Sequence, residues 1–329
     1  MKTPRQPLID DMDSIPRPAL DLYPMDRYYP AIYVHGRRVG NYVTSRGCPY
    51  ECTYCEAKMT FGRTFRFHST ERVVEDLRFL SRTYGFDSYQ FYDDIFTTNR
   101  RRVLDLCQRL LQSDLRIKWM CWTRTNLVDR ELLAAMKKAG CYAIFFGCES
   151  GSQEMLDRVK KQLTVEQNRA GIALVKESGM QALSSFMLGL PGETREQTES
   201  TIRFAVDSRL DYALFYLTEP YPGTEIWQDA LANGYFVSDP RFHNELLKNF
   251  DKVWVPNGRT REELNEQQKR AMRSFYLRPR IILGWLANAR QIGMRRIWRG
   301  IRGGLSVLVF ERLPFLAKRW KPAATRRND

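Results

Sequence analysis

Between residues 41 and 235, short apolar runs alternate six times with amphipathic stretches of helical periodicity, and nothing else in the sequence narrows the fold so far. The apolar runs fall at 41–45, 88–92, 117–123, 142–148, 181–188 and 212–217. The helical stretches fall at 71–84, 100–112, 130–139, 154–159 with 165–177, 196–208 and 225–233. Ser69 or Thr70 is placed to cap the first of these, and Gly140, Gly179 and Gly234 follow the ends of three others. Alternation at this spacing predicts a parallel sheet with right-handed crossovers. Eight units would close a barrel. Six predict an α/β fold of the partial (β/α)6, TIM-like kind, with its chemistry at the C-terminal ends of the strands. Residues 1–40 are proline-rich and read as a linker that wraps the domain. The barrel then occupies 41–238, and 239–329 forms a helical, basic C-terminal extension. Helices are expected there at 244–249, 261–276 and 280–308, with a structureless end at 322–329.

The loop after the first strand reads Arg46-Gly47-Cys48-Pro49-Tyr50-Glu51-Cys52-Thr53-Tyr54-Cys55. A zinc site or a ferredoxin cluster wants four strong ligands. Three thiolates leave one iron of a [4Fe–4S] cluster without a protein ligand, and an open position can take a substrate. Taken alone, the motif is also compatible with a partial zinc knuckle or three buried thiols. With Gly47, Pro49 and Tyr54 around it, the pattern resembles the radical S-adenosylmethionine (SAM) superfamily. That resemblance implies a [4Fe–4S] cluster on Cys48, Cys52 and Cys55, which are both the metal ligands and the catalytic residues. It further implies SAM chelated by the open iron, one-electron cleavage of the sulfonium, and a 5′-deoxyadenosyl radical that takes hydrogen from a small-molecule substrate. Oxygen sensitivity and a reducing partner such as flavodoxin or ferredoxin go with it.

Each later strand end supplies a cluster that the same family uses for its cofactor. After the second strand, one of Asp93 and Asp94 is expected to face inward, where the family receives SAM's ammonium; a helix cap at Asp94 or Thr97 is the structural reading. Arg124 ends the third strand and suits SAM's carboxylate, a substrate acid or a structural salt bridge. Gly147-Cys148-Glu149-Ser150-Gly151 ends the fourth and is similar to the family's G-x-E-S-G segment. There Gly147 admits the cofactor, Glu149 faces inward, and Ser150 meets a ribose hydroxyl or caps the next helix. Gly189-Leu190-Pro191-Gly192-Glu193-Thr194 follows the fifth strand and resembles the adenine-contacting turn; Thr194 or Glu193 could equally cap a helix. Cys107, Cys121, Cys141 and Cys148 contain no chelating pair and read as small buried residues.

The order of segments is most similar to the cobalamin-associated branch, which includes methyltransferases and ring-forming enzymes. Ile15-Pro16-Arg17-Pro18-Ala19-Leu20-Asp21 is like the connector that follows the cobalamin domain there. Only about forty residues precede the core, and the D-x-H-x-x-G ligand motif is absent, which argues against cobalamin in cis. A separate cobalamin-binding subunit, or cobalamin-free chemistry, is the expectation.

Seven cysteines, three of them in a metal motif, argue for a reducing cytoplasm rather than a disulfide framework. No secretory signal or apolar run of spanning length is visible. Charge is unevenly spread. Residues 278–329 carry thirteen Lys/Arg against Glu311 and Asp329, which is +11 of the net +14. Apolar positions recur there at helical spacing from Trp285 to Leu308, a pattern expected of an interfacial helix on an anionic membrane or of a helix packed on the barrel. No aromatic-rich RNA-binding module accompanies it, which argues against nucleic acid. A lipid-like substrate would suit a membrane-docked enzyme; RNA modification, or a non-catalytic partner of a cobalamin subunit, are the rival readings.

Overall fold

Six strands run parallel in one curled sheet, as the alternation requires. The computed structural model describes residues 6–236 and 254–287, apart from Tyr29 and Ile32. In chain order the strands are β1 (Val39–Tyr42), β2 (Ser45–Arg46), β3 (Arg66–Phe67), β4 (Ser88–Phe91), β5 (Lys118–Thr123), β6 (Cys141–Glu149), β7 (Gln181–Leu188), β8 (Tyr212–Leu217), β9 (Gly234–Phe236) and β10 (Trp254–Pro256). The main sheet has the order β1-β4-β5-β6-β7-β8, every pair parallel. The helices between them are α1 (Ala57–Thr60), α2 (Thr70–Tyr84), α3 (Arg100–Gln112), α4 (Arg130–Lys138), α5 (Gln153–Arg158), α6 (Val165–Glu177), α7 (Arg195–Asp207) and α8 (Glu225–Asn233). This is a partial TIM barrel of the expected kind.

The helix starts are written in the sequence. Ser69, Asn99, Asp129, Thr164, Thr194 and Thr224 each accept a hydrogen bond from a first-turn amide of α2, α3, α4, α6, α7 and α8, a contribution of about 1 kcal/mol apiece. Asn99, rather than Asp94 or Thr97, therefore caps α3. Gly140 and Gly179 lie beyond the ends of α4 and α6 with φ of 97° and 74°, as helix-terminating glycines do. Gly234 differs. It is extended and opens β9, and a Cβ there would collide with the Trp254 indole, so close approach explains it. The expected first strand at 41–45 is in fact two pieces. β1 ends at Tyr42, and β2 leaves the sheet to pair antiparallel with β3.

Alternation divides each strand between two cores. Tyr89, Phe91, Trp119, Cys121, Phe146 and Phe186 face the helices. Met120, Ala143, Phe145, Leu183 and Tyr212 face the barrel interior, where Val34 packs on them. Cys107, Cys121, Cys141 and Cys148 all belong to the outer core, as expected of small buried residues. The N-terminal segment is stapled to α2: Arg17 pairs with Asp76 at 2.5 Å, and Arg72 donates to the carbonyls of Asp13 and Ile15.

The helix Arg261–Tyr276 completes the open edge. Tyr276 Oη donates to the Ala213 carbonyl at 2.7 Å, and Gln268 Nε2 donates to the Phe215 carbonyl at 2.7 Å. These side chains satisfy β8 backbone groups that an edge strand would leave open. A last helix, Pro279–Ala287, follows. The expected helix at 244–249, the continuation of the tail helix over 288–308, and the end at 322–329 lie outside the described residues. Among those described, no helix is long and apolar enough to cross a membrane.

Candidate active site

The cysteine loop leaves the sheet at Thr44 and returns at His68, closed at its base by the β2–β3 pair. Asp93, at the end of β4, fixes its root. Its buried carboxylate accepts from Thr44 N at 2.6 Å, from Ser45 Oγ at 2.7 Å and from Thr44 Oγ1. Burial raises the Asp93 pKa, with those hydrogen bonds and Arg102 acting against it. Gly47 adopts φ 93°, and a Cβ there would collide with the Thr64 carbonyl, so the loop can turn here only with glycine. Asp94 accepts from Gly47 N at 3.1 Å and lines the cavity beyond. Of the two aspartates, Asp94 is the one at the cavity and Asp93 the one that anchors the loop.

That cavity, of about 220 Å³, lies at the C-terminal ends of the strands. Cys48, Cys52 and Cys55 line it with Tyr54, Asp94, Arg124, Gly147, Glu149 and Lys161. Burial pushes the Cys48 thiol up and raises Cys55 to about 11, and a bound cationic centre would favour their thiolate forms. No three His, Cys, Asp or Glu side chains among the described residues converge as a single metal ion would require. Three thiols lining one cavity are the donor set that a cubane with one unliganded iron would take.

Glu149 sits at the centre of the polar side of the cavity. A bulge between Gly147 and Glu149 and a left-handed φ of 63° turn its side chain inward. Its Oε1 accepts from Tyr54 Oη at 3.1 Å and from Lys161 Nζ at 3.0 Å, and Lys161 also donates to Tyr54 Oη at 3.1 Å. Glu149 and Lys161 are buried and Tyr54 is half-buried. Burial, the largest single effect, works against a charged Lys161, but the Glu149 carboxylate and the Cys52 thiolate together outweigh it and the ammonium's pKa is raised. Gly147 is glycine because a Cβ would strike the Glu149 carboxylate.

Lys161 is the residue that the sequence did not disclose. Nothing in the sequence around Lys160-Lys161-Gln162 marks it as part of a site. In the structure Lys160 and Gln162 both have φ of 52°, and Lys161 between them is buried. The available signal was indirect: an inward Glu149 needs a buried cation, because an unpaired buried charge is costly.

Arg124 lines the cavity and is itself held by a loop. It is buried, its guanidinium donates to the Gln162 carbonyl at 3.0 Å and to that of Lys161, and it stacks 3.7 Å from the Tyr50 ring. It holds the loop that carries Lys161. Ser150 is displaced from its expected role too. Its hydroxyl is shared with Thr201 at 3.0 Å and accepts from Ser152 N, so it ties β6 to α7 and neither lines the cavity nor caps α5. Gly189 and Gly192 form the turn after β7, both at positive φ. Gly189 N donates to Glu193 Oε2 at 2.5 Å, Gly192 lies under the Arg158 guanidinium, and Thr194 caps α7. Burial raises Glu193 to about 7.

A partial parallel barrel with three thiols at its strand ends and an ion-paired carboxylate beside them defines a class, and comparison with known proteins agrees. The radical SAM superfamily model matches residues 42–205. The chain is 37% identical over 298 residues to an uncharacterised methyltransferase of Pyrococcus horikoshii, covering 91% of this chain and 63% of that protein. It is 30% identical over 278 residues to the anaerobic magnesium-protoporphyrin IX monomethyl ester cyclase of Rubrivivax gelatinosus, covering 84% of this chain and 48% of that protein. In fold it is similar to the radical SAM methyltransferase TsrM of Kitasatospora setae, solved with tryptophan and a SAM analogue. The TM-score is 0.56 at 19% identity, over 62% of this chain and 42% of that one. The chain belongs to the radical SAM superfamily, whose members use a [4Fe–4S] cluster and SAM, and its relatives include methyltransferases and cyclases. It spans about half to two-thirds of the length of these curated relatives.

Proposed function

We propose that this chain binds a [4Fe–4S] cluster through Cys48, Cys52 and Cys55, cleaves SAM reductively, and abstracts hydrogen from an unactivated carbon of a small, apolar substrate. The observation that carries this is one cavity shared by the three thiols and the Glu149–Lys161–Tyr54 network. When bound, the reduced cluster supplies the electron that cleaves the sulfonium. The chain's own residues do the positioning. Asp94 and Glu149 present carboxylates to an ammonium, and Lys161 presents a buried cation to a carboxylate, which together match the two ends of an amino acid. Tyr54 keeps Glu149 oriented. Gly147 leaves room beside them, and the Gly189–Gly192 turn borders the same rim. Arg124 on the cavity wall, and Asp93 and Ser150 behind it, serve as positioning residues.

In this reading residues 41–238 are the catalytic unit, wrapped by 1–40 and extended by 239–329. The methyltransferase relatives support methyl transfer and the cyclase relative supports ring formation as the product-forming step. A corrinoid for the former would come from outside the barrel. Peripheral contact with an anionic membrane is supported by the Pro279–Ala287 helix, whose Leu283 and Leu286 are 63% and 61% exposed, and by the basic composition that follows.

The test is direct. Anaerobically reconstituted, reduced protein is expected to convert SAM to 5′-deoxyadenosine, and Glu149→Ala to weaken SAM binding with the fold intact. Protein that carries a full cluster yet forms no 5′-deoxyadenosine, with or without added relatives' substrates, overturns the proposal.

A further inference from the structure

We propose that the inner wall of the barrel is a stacking platform for a flat, conjugated ring system, so that the substrate presented to the cavity is planar and neutral over that face. This rests on the radical reading above and names its substrate class.

The platform is a row of rings. Trp122 stacks on Phe145 with centroids 5.5 Å apart and planes at 25°, and both line the cysteine cavity. Tyr92 stacks on Trp122 at 4.2 Å and 21°. The row thus begins beside the thiols and ends at Tyr92, which is 46% exposed. Tyr216, from β8 at the other side of the mouth, is 53% exposed. Burial raises the Tyr216 phenol, and the nearness of Tyr92 and of Glu149 adds to it.

Among the described residues Tyr92 has Trp122 on one face and no ring on the other, and Tyr216 stacks on none; such open faces select other flat ring systems in offset stacks. The charged groups of the cavity are all at the thiol end, where Glu149 is ion-paired with Lys161 and Arg124 is held by carbonyls. The ring row itself carries no charge to pair with a phosphate or a sugar acid. An acyl or polyisoprenoid chain, by contrast, is served by aliphatic walls, which conform to a flexible ligand. Phenol hydroxyls at Tyr92 and Tyr216 add hydrogen-bond donors at the rim for ring substituents.

Protoporphyrin IX is a suitable flat probe, with squalene as an apolar competitor that is not flat. Fluorescence titration of the reconstituted full chain is expected to show saturable porphyrin binding that squalene does not displace. Tyr92→Leu is expected to weaken it by about 3- to 10-fold, in line with the worth of one aromatic pair, and Tyr92→Phe to restore it. Because Tyr92 is half exposed, the Leu variant keeps the core. The double variant Leu283→Glu/Leu286→Glu, at the far end of the barrel, is expected to bind the probe as the parent does; loss of binding there would show adhesion to the exposed helix and overturn the platform. Equal displacement by squalene, or unchanged affinity in Tyr92→Leu and Tyr216→Leu, would also overturn it. SAM binding measured on the same sample separates the two readings: a parent that binds SAM but no porphyrin overturns the platform alone, and one that binds neither overturns both.

Discussion

The two ends of this barrel are built from the same strands and solved in opposite ways. At the C-terminal rim the chain buries an ion pair, Glu149 with Lys161, and places Glu149, Lys160 and Gln162 in left-handed backbone conformations. Among the described residues these are the only non-glycine positions with positive φ. Each costs roughly 1–3 kcal/mol, and burying two charges adds a desolvation penalty. At the N-terminal end, Lys176 pairs with Asp211 at 2.6 Å while both remain partly wet, and Arg280 donates to the Leu210 carbonyl at 2.7 Å. Nothing there is strained. Among the described residues, left-handed non-glycine backbone and the buried Glu149–Lys161 pair belong to the rim where a ligand would be gripped, not to the end where the barrel is closed.

The comparison also separates two features that the sequence invited one to join. The helix Pro279–Ala287 docks beside the start of β8, through Arg280 to Ser208 and Leu210. A membrane held by Leu283 and Leu286 would therefore meet the end opposite the cysteine cavity. Membrane contact through this helix would tether the enzyme without presenting its mouth to the bilayer.

The largest effect that would sharpen this contrast is at the thiols. Cys52→Ala is expected to abolish SAM cleavage and iron retention, measured by 5′-deoxyadenosine formation and iron content, while far-UV circular dichroism stays unchanged. Retained cleavage would place the chemistry elsewhere.

Next comes the buried pair. Lys161→Met removes the cation beside Glu149 and leaves it only the Tyr54 hydroxyl, and is expected to cost about 3–5 kcal/mol in urea unfolding. Lys161→Met with Glu149→Gln is expected to regain most of that stability but not SAM binding. Recovery of both would make the pair a structural salt bridge and nothing more.

A smaller effect belongs to Glu193, at the turn that borders the rim. Burial raises its folded pKa to about 7. The folded state then binds more protons than the unfolded state between the ordinary glutamate range, about 4.3, and 7. Its contribution to stability is full below that range and is lost as pH rises through 7. Glu193→Gln is expected to flatten this fall, by about 1–3 kcal/mol, in denaturation midpoints taken from pH 4 to 8. An identical pH slope in parent and variant would show that Arg259 and the Gly189 amide keep the carboxylate ionised throughout.

The smallest effect lies at the opposite end. Leu283→Glu with Leu286→Glu is expected to change stability by no more than about 0.5 kcal/mol, because both side chains are exposed. It is expected to lower sedimentation with anionic liposomes and to leave SAM cleavage untouched. A large loss of stability would mean that these leucines are packed in solution.

Much of the barrel was legible because it rests on local rules. Period-2 and helical periodicities placed all six strands, and cap residues such as Ser69 and Thr194 marked the helix starts. Alternation put Trp122 inside and Cys121 outside. The motif cysteines, Asp94, Gly147 and Glu149 were legible as a group because each falls at a strand end. What sequence reasoning could not supply was long-range. Nothing local distinguishes Asp93 from Asp94, and the choice depends on Thr44 and Ser45, almost fifty residues away. Ser150 looked like a ligand or a cap until Thr201 came into contact with it. Lys161 was not legible because its burial depends on Arg124, more than thirty residues away, holding the carbonyls of its loop.

The central claim is that three thiols on this rim hold a cluster whose fourth corner is left for SAM. Electron paramagnetic resonance of the anaerobically reconstituted, dithionite-reduced protein, recorded before and after SAM is added, tests it most directly. About four irons and four sulfides per chain are expected, with a reduced [4Fe–4S] signal that SAM alters and that Lys161→Met with Glu149→Gln leaves unresponsive to SAM. Tight zinc binding with no iron–sulfur signal, or a cluster signal that SAM does not change in the parent protein, would contradict the account.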